Sequence, residues 1–145
     1  LKEPAPNLEK SLLLRPFPQA APAGLDLATF RTRYREGMIQ HAGVAVFIGG
    51  LKVDAGSSAL VAADGVIEEF ETAQHLGRVV VPVGSTGGAA AEIWKRMDKA
   101  GVLPRGLRRA DFDGLNNAAT SAQEIAKIVQ KVIDAADKPK PRRTT

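Results

Sequence analysis

Arg35, Lys52, Glu68 and Glu69 are the side chains whose types could do chemistry, and two glycine turns stand near them. Gly49-Gly50 follows the apolar run Val44-Ala45-Val46-Phe47-Ile48 and precedes Lys52. Gly84-Ser85-Thr86-Gly87-Gly88 follows Val79-Val80-Val81-Pro82-Val83. A lysine meets phosphate as a point charge, whereas an arginine can grip it with two parallel N–H donors. Glycines let a ligand approach the backbone closely, and successive N–H groups at a helix start can hold an anion. Glu68 or Glu69 would repel phosphate, but either could accept hydrogen bonds from the two hydroxyls of a ribose. Together these residues suit a phosphorylated, ribose-bearing small molecule.

Each of these residues also has a plainer role open to it. Gly49-Gly50 can be an ordinary turn with Lys52 in solvent. Ser85 or Thr86 can simply cap a helix at Gly87. Glu68 and Glu69 fall in the first turn of a helix, where acids suit the dipole. Arg31, Arg33 and Arg35 crowd one helix, and most helical arginines are solvated. Arg35 differs in following Tyr34 and lying one turn before Met38 and Ile39, at the border of the core face.

Other chemistries are poorly supplied. There is no cysteine, and His41 and His75 are the two histidines, so thiol catalysis, disulfides and a transition-metal site are not expected. No Gly-Lys-Ser/Thr follows a glycine loop, no Gly-x-Gly-x-x-Gly occurs, and no nucleophile elbow is present. No catalytic residue, metal ligand or cofactor is therefore assigned. The lack of cysteine fits a cytoplasmic protein. No apolar run approaches the roughly 20 residues of a membrane span, and residues 1–10 do not read as a signal peptide.

The net charge of +4 is easily misread. Lys138, Lys140, Arg142 and Arg143 supply four positive charges, and without them basic and acidic residues balance at 16 each. The basic excess belongs to a tail and not to a folded face, which argues against nucleic acid as the partner.

The elements that must position these residues follow from periodicity. The 145 residues, 44% of them hydrophobic, suffice for one domain with a core. The expected organisation is an N-terminal segment over 1–10, a domain over 11–137 and a disordered basic tail over 138–145. Within the domain, Ser11 to Arg15 reads as a short strand closed by Pro16. Asp26 caps a helix from Leu27 to Ala42 with Leu27, Phe30, Tyr34, Met38 and Ile39 at helical spacing. Val44–Ile48 and Val79–Val83 read as buried strands, and 49–64 reads as a loop. Helices are expected over 66–76, stopped by Gly77, over 87–100, stopped by Gly101 and packed through Trp94, and over 121–136. Residues 102–115 read as irregular. Strands alternating with helices predict an α/β, Rossmann-like doubly wound parallel sheet. About three strands are visible where such sheets usually have five or more, and the chain does not begin with methionine, so a first strand is expected upstream of Leu1.

Several ordered blocks carry a resemblance. Leu14-Arg15-Pro16-Phe17-Pro18, Tyr34-Arg35-Glu36-Gly37-Met38-Ile39, Val46-Phe47-Ile48-Gly49-Gly50-Leu51-Lys52, Gly65-Val66-Ile67-Glu68-Glu69-Phe70-Glu71, Val83-Gly84-Ser85-Thr86-Gly87-Gly88 and Glu92-Ile93-Trp94 occur in that order. This pattern, from about Leu12 to Met97, resembles the SLOG (STALD) domain of Thoeris antiphage effectors. The resemblance implies a sensor that binds a cyclic ADP-ribose isomer made by a TIR enzyme. Binding would activate a sirtuin-like NAD hydrolase in a separate domain, with the sensor itself not an enzyme and assembled as a homo-oligomer without nucleic acid or membrane partners. By motif position it implies Arg35 and Lys52 as the phosphate-facing pair and Glu69 as the ribose acid, with Glu68 the alternative. Gly49, Gly50, Gly84, Ser85 and Thr86 complete the expected ligand-binding set. The LOG-type nucleotide N-glycosidases (phosphoribohydrolases) are also similar, but their Pro-Gly-Gly-x-Gly-Thr-x-x-Glu motif is not matched by Asp64-Gly65-Val66-Ile67-Glu68-Glu69. A ligand-independent oligomerisation module, with 121–136 as its contact helix, is the third reading.

Overall fold

The computed structural model describes residues 15–138. The segment expected over 1–10, nearly all of the strand expected over 11–15 and nearly all of the tail expected over 138–145 lie outside them. The chain divides into two compact units between Tyr34 and Arg35, within helix α1 (Leu27–Ile39).

In the first unit, Asp26 caps α1 as predicted, its Oδ1 accepting from the Thr29 amide at 2.9 Å. The proline segment lies along the first half of the helix. Tyr34 donates its hydroxyl to the Pro16 carbonyl at 3.0 Å, and Phe17 meets the Tyr34 ring edge-on at 5.7 Å. Arg31 lies over the Phe17 ring and donates to the Pro18 carbonyl. Of the three arginines on α1, this one is therefore committed to packing and Arg33 is exposed.

The second unit is built on two parallel strands. β1 (Val44–Ile48) and β4 (Val79–Val83) pair in register from Val44↔Val79 to Ile48↔Val83. Both are short runs of β-branched and other apolar residues, which suit a strand buried between layers, but β1 is buried only in part: Phe47 is enclosed while Val46 and Ile48 are 41% and 67% exposed. Val80, Val81, Pro82 and Val83 are all buried. Helices α2 (Asp64–His75), α3 (Gly88–Ala100) and α5 (Ala122–Ala136) cover the sheet. They supply Phe70, Ala73, Ala90, Ile93, Met97, Ile128 and Val132 to one continuous core. This is the α/β, Rossmann-like parallel arrangement that the alternation predicts. Gly77 and Gly101 follow α2 and α3 with positive φ, as expected of helix stops. α5 opens with a reciprocal cap between Ser121 and Glu124.

Two expectations need correction. Residues 49–64 are not a plain loop, because β2 (Leu51–Val53) and β3 (Leu60–Ala62) form an antiparallel hairpin with Lys52 opposite Val61. Three-residue strands are too short to show alternation. Their pairing is fixed by the turn, in which Asp54 accepts from the amide and hydroxyl of Ser57. Residues 102–115 are not wholly irregular either, since α4 (Arg109–Gly114) lies within them. Six residues carry no readable period. α4 is held by tertiary packing: Phe112 and Leu115 are fully buried. Trp94 stacks on Phe112 at 4.9 Å and donates to its carbonyl at 2.8 Å.

Candidate functional site

The two glycine turns meet at the carboxyl ends of β1 and β4. Ala89 and Ala90, the second and third residues of α3, donate their amides to the carbonyls of Gly50 and Gly49 at 3.0 and 2.9 Å. The first amides of a helix have no partner inside the helix, and here the other turn supplies two. The Gly50 carbonyl also accepts from Ala63 at 2.8 Å, just before α2 begins. Thr86 closes the junction from the other side. Its hydroxyl accepts from the Gly49 amide at 2.7 Å and donates to the Val83 carbonyl at 2.6 Å.

Several predicted roles change accordingly. Neither Ser85 nor Thr86 caps α3, because no side chain does so. The turn Gly84–Thr86 is a single 3-10 turn, and the amides of Ser85 and Gly87 are committed to the carbonyls of Leu115 and Gly84. The amides at 85, 87, 89 and 90 therefore hold the protein's own carbonyls and not an anion. Gly84 is small for a neighbour's sake: a Cβ there would lie 2.4 Å from Asn116 Oδ1. Gly49, Gly50, Gly84, Ser85 and Thr86 thus form a framework joining the strand exits.

The charged residues gather beside this framework, along one side of the start of α2. Asp64 and Glu68 are one helical turn apart and share that side. Asp64 Oδ2 is bonded to Lys52 Nζ, which the β2–β3 register delivers to this point. Glu68 Oε2 accepts from Arg35 Nη1 at 2.6 Å, and Glu69 Oε1 lies 3.5 Å from Arg35 Nε. Gly65 makes room for the guanidinium, since a Cβ there would sit 2.5 Å from Arg35 Nη2. The Arg35 side chain is only 11% exposed, so its border position on α1 is a largely covered one. Arg35 thus lies against Glu68 and Glu69, and Lys52 against Asp64, both along the first turns of α2.

The two glutamates differ in surroundings. Glu69 borders a cleft of about 210 Å³ lined by Met38, Ile39, Ala42, Ala45, Val46 and Phe47. Burial there pushes its carboxyl above the usual glutamate range, against the downward pull of Arg35. Two other clefts, of about 250 and 220 Å³, share Gln74, Met97 and Val102. The smaller reaches Val79 at the amino end of β4, away from the strand exits. Among the described residues, no group of three His, Cys, Asp or Glu side chains could hold a metal ion. No helix there is long and apolar enough to cross a membrane.

Sequence reasoning missed Asp64 and Gly65 as partners of the two cations, and Asn116 as a neighbour of Gly84. Asp64 became visible only through the hairpin register that delivers Lys52 to it. Asn116 follows α4, which left no period to read.

The model of the Sir2- and TIR-associating SLOG family, STALD, matches residues 1–136. The chain is 38% identical over 128 residues to an NAD(+) hydrolase ThsA from Cytobacillus dafuensis, a match covering 86% of this chain and 25% of that protein. It is 37% identical over 129 residues to the ThsA of Enterococcus faecium, covering 88% of this chain and 25% of that protein. It is 34% identical over 127 residues to that of Bacillus cereus (strain MSX-D12), covering 85% and 25%. The chain thus spans about a quarter of the length of these relatives.

Proposed function

The chain belongs to the STALD family, the Sir2- and TIR-associating SLOG proteins, and on that premise we propose that it is a regulatory module sensing a cyclic ADP-ribose isomer in antiphage defence. Arg35 and Lys52 face the phosphates of the signal. Glu69, or Glu68 beside it, accepts from a ribose. The NAD hydrolysis named for the relatives belongs to the part of such proteins that this chain does not match. Binding here activates that part, and the assembled form is a homo-oligomer.

The observation that carries this reading is that Arg35 and Lys52 are both held along the start of α2, Arg35 by Glu68 and Glu69 and Lys52 by Asp64. Those residues come from α1, the hairpin and α2, and a fold with no use for them together would not need to assemble them. The Gly49–Gly50 and Gly84–Gly88 turns support the reading by fixing the hairpin that carries Lys52 against α2 and α3.

Calorimetric titration with cyclic ADP-ribose isomers tests it. Saturable heat with one isomer is the expected result, and no heat with any of them would overturn it. The hydrolase alternative is the weaker reading because Asp64-Gly65-Val66-Ile67-Glu68-Glu69 lacks the Pro-Gly-Gly and the threonine of the LOG-type motif. Chromatography of the titrated nucleotide should show it intact, and release of free base would favour the hydrolase.

A further inference from the structure

The two cations assigned to phosphate already hold carboxylates, and the two pairs are unlike. Arg35 is packed against Gly65 and the Glu68 carboxylate. Lys52 and Asp64 pair at the surface, with Lys52 44% and Asp64 84% exposed. We propose that Asp64 is a resident competitor for the ligand's phosphate: it occupies Lys52 in the empty site, gives it up on binding, and so sets the affinity of the site. This rests on the reading of Lys52 as a phosphate-facing residue.

The exchange is favourable on electrostatic grounds. An exposed ion pair contributes little, so releasing Asp64 into water costs little. A phosphate taking its place brings more acceptor oxygens to Lys52. It also lies at the amino end of α2, where negative charge is favoured by the helix dipole. Asp64 is the residue to exchange because nothing encloses its side chain. Glu68 is less exposed and is held by a guanidinium that is itself fixed. The ligand therefore meets a cation already in place at Arg35 and must displace a carboxylate only at Lys52.

The test is calorimetric titration of the full chain with cyclic ADP-ribose isomers and, separately, inorganic pyrophosphate. Parent, Asp64→Asn, Lys52→Ala and the double variant are compared, with circular dichroism to check folding. Asp64→Asn should bind about two- to fivefold more tightly, the range expected for an exposed pair. In the Lys52→Ala background the same change should have no effect, since the competition has lost its object. Asp64→Ser, which keeps a good helix-start residue, should behave like Asp64→Asn. Glu71→Gln, on the same helix but paired with Arg96, should leave affinity unchanged. Parent binding with no gain in Asp64→Asn would overturn the competition and leave the sensor reading standing. A gain that persists without Lys52 would reduce Asp64 to a general repulsion and would also overturn it. No binding by any variant would overturn both readings.

Discussion

Gly88 packs directly on the Gly50 backbone: a Cβ on Gly88 would lie 2.8 Å from the Gly50 carbonyl oxygen, and one on Gly50 would lie 2.9 Å from Ala89 Cβ. Both glycines have positive φ, +89° at Gly50 and +57° at Gly88. The contact lets the carbonyls of one strand exit cap the helix that leaves the other. Gly88→Ala should therefore destabilise the fold by about 2–4 kcal/mol. Left-handed backbone accounts for about 1–2 of this and displacement of a packed neighbour for the remainder. Denaturant unfolding measures it, and a parental midpoint would show that the two turns are not joined in this way.

Thr86 should be needed for its hydroxyl more than for its shape. Thr86→Val keeps the volume but leaves the Gly49 amide and the Val83 carbonyl without their shared partner. Loss of about 1–3 kcal/mol is expected for stranding such groups. Thr86→Ser should recover most of it. Equal losses in both variants would point to the methyl group instead.

Much of this arrangement was legible in the sequence, and what was not has identifiable causes. Val44–Ile48 and Val79–Val83 are continuous apolar runs, so their parallel pairing follows from composition and alternation with helices, as does the burial of the second; the first is buried only in part, because Val46 and Ile48 face outward. Arg35 was legible as a border residue because Met38 and Ile39 stand one turn further on. The hairpin was not, since three residues per strand cannot display a period, and α4 is too short to have one. The glycines were read as space for a ligand. A Cβ on Gly49 would meet nothing, whereas at Gly50 and Gly88 the space is taken by the opposite turn, whose carbonyls serve the amides of α3. That partnership is a long-range contact with no trace in local pattern.

Arg35 and Lys52 should matter to binding far more than to folding. Arg35→Ala and Lys52→Ala should each weaken the affinity for a cyclic ADP-ribose isomer by about 1.5–3 kcal/mol, as for hydrogen bonds to charged groups. Arg35→Lys keeps the charge but loses the planar fork, so it should also weaken binding. Both alanine variants should keep the parental circular dichroism spectrum. Parental affinity in either would place the pocket elsewhere.

Glu69 should make stability fall as pH rises through the weakly acidic range. Burial raises its folded-state pKa above the ordinary value of 4.5, with Arg35 pulling the other way and the nearby Glu68 charge adding to the rise. The folded chain therefore holds this proton more tightly than the unfolded chain does. Well below 4.5 the carboxyl is protonated in both states and carries no penalty. Between that value and the raised one the folded state binds more protons, so each step up in pH costs stability. Above the raised value the penalty is fully present. Glu69→Gln keeps the shape and cannot ionise. The stability of the parent minus that of the variant should thus decline as pH rises above the ordinary glutamate value into the weakly acidic range, measured as unfolding free energies at matched pH. A constant difference across that range would mean that Glu69 titrates as it would in water, with the cleft wall exerting no hold on its proton.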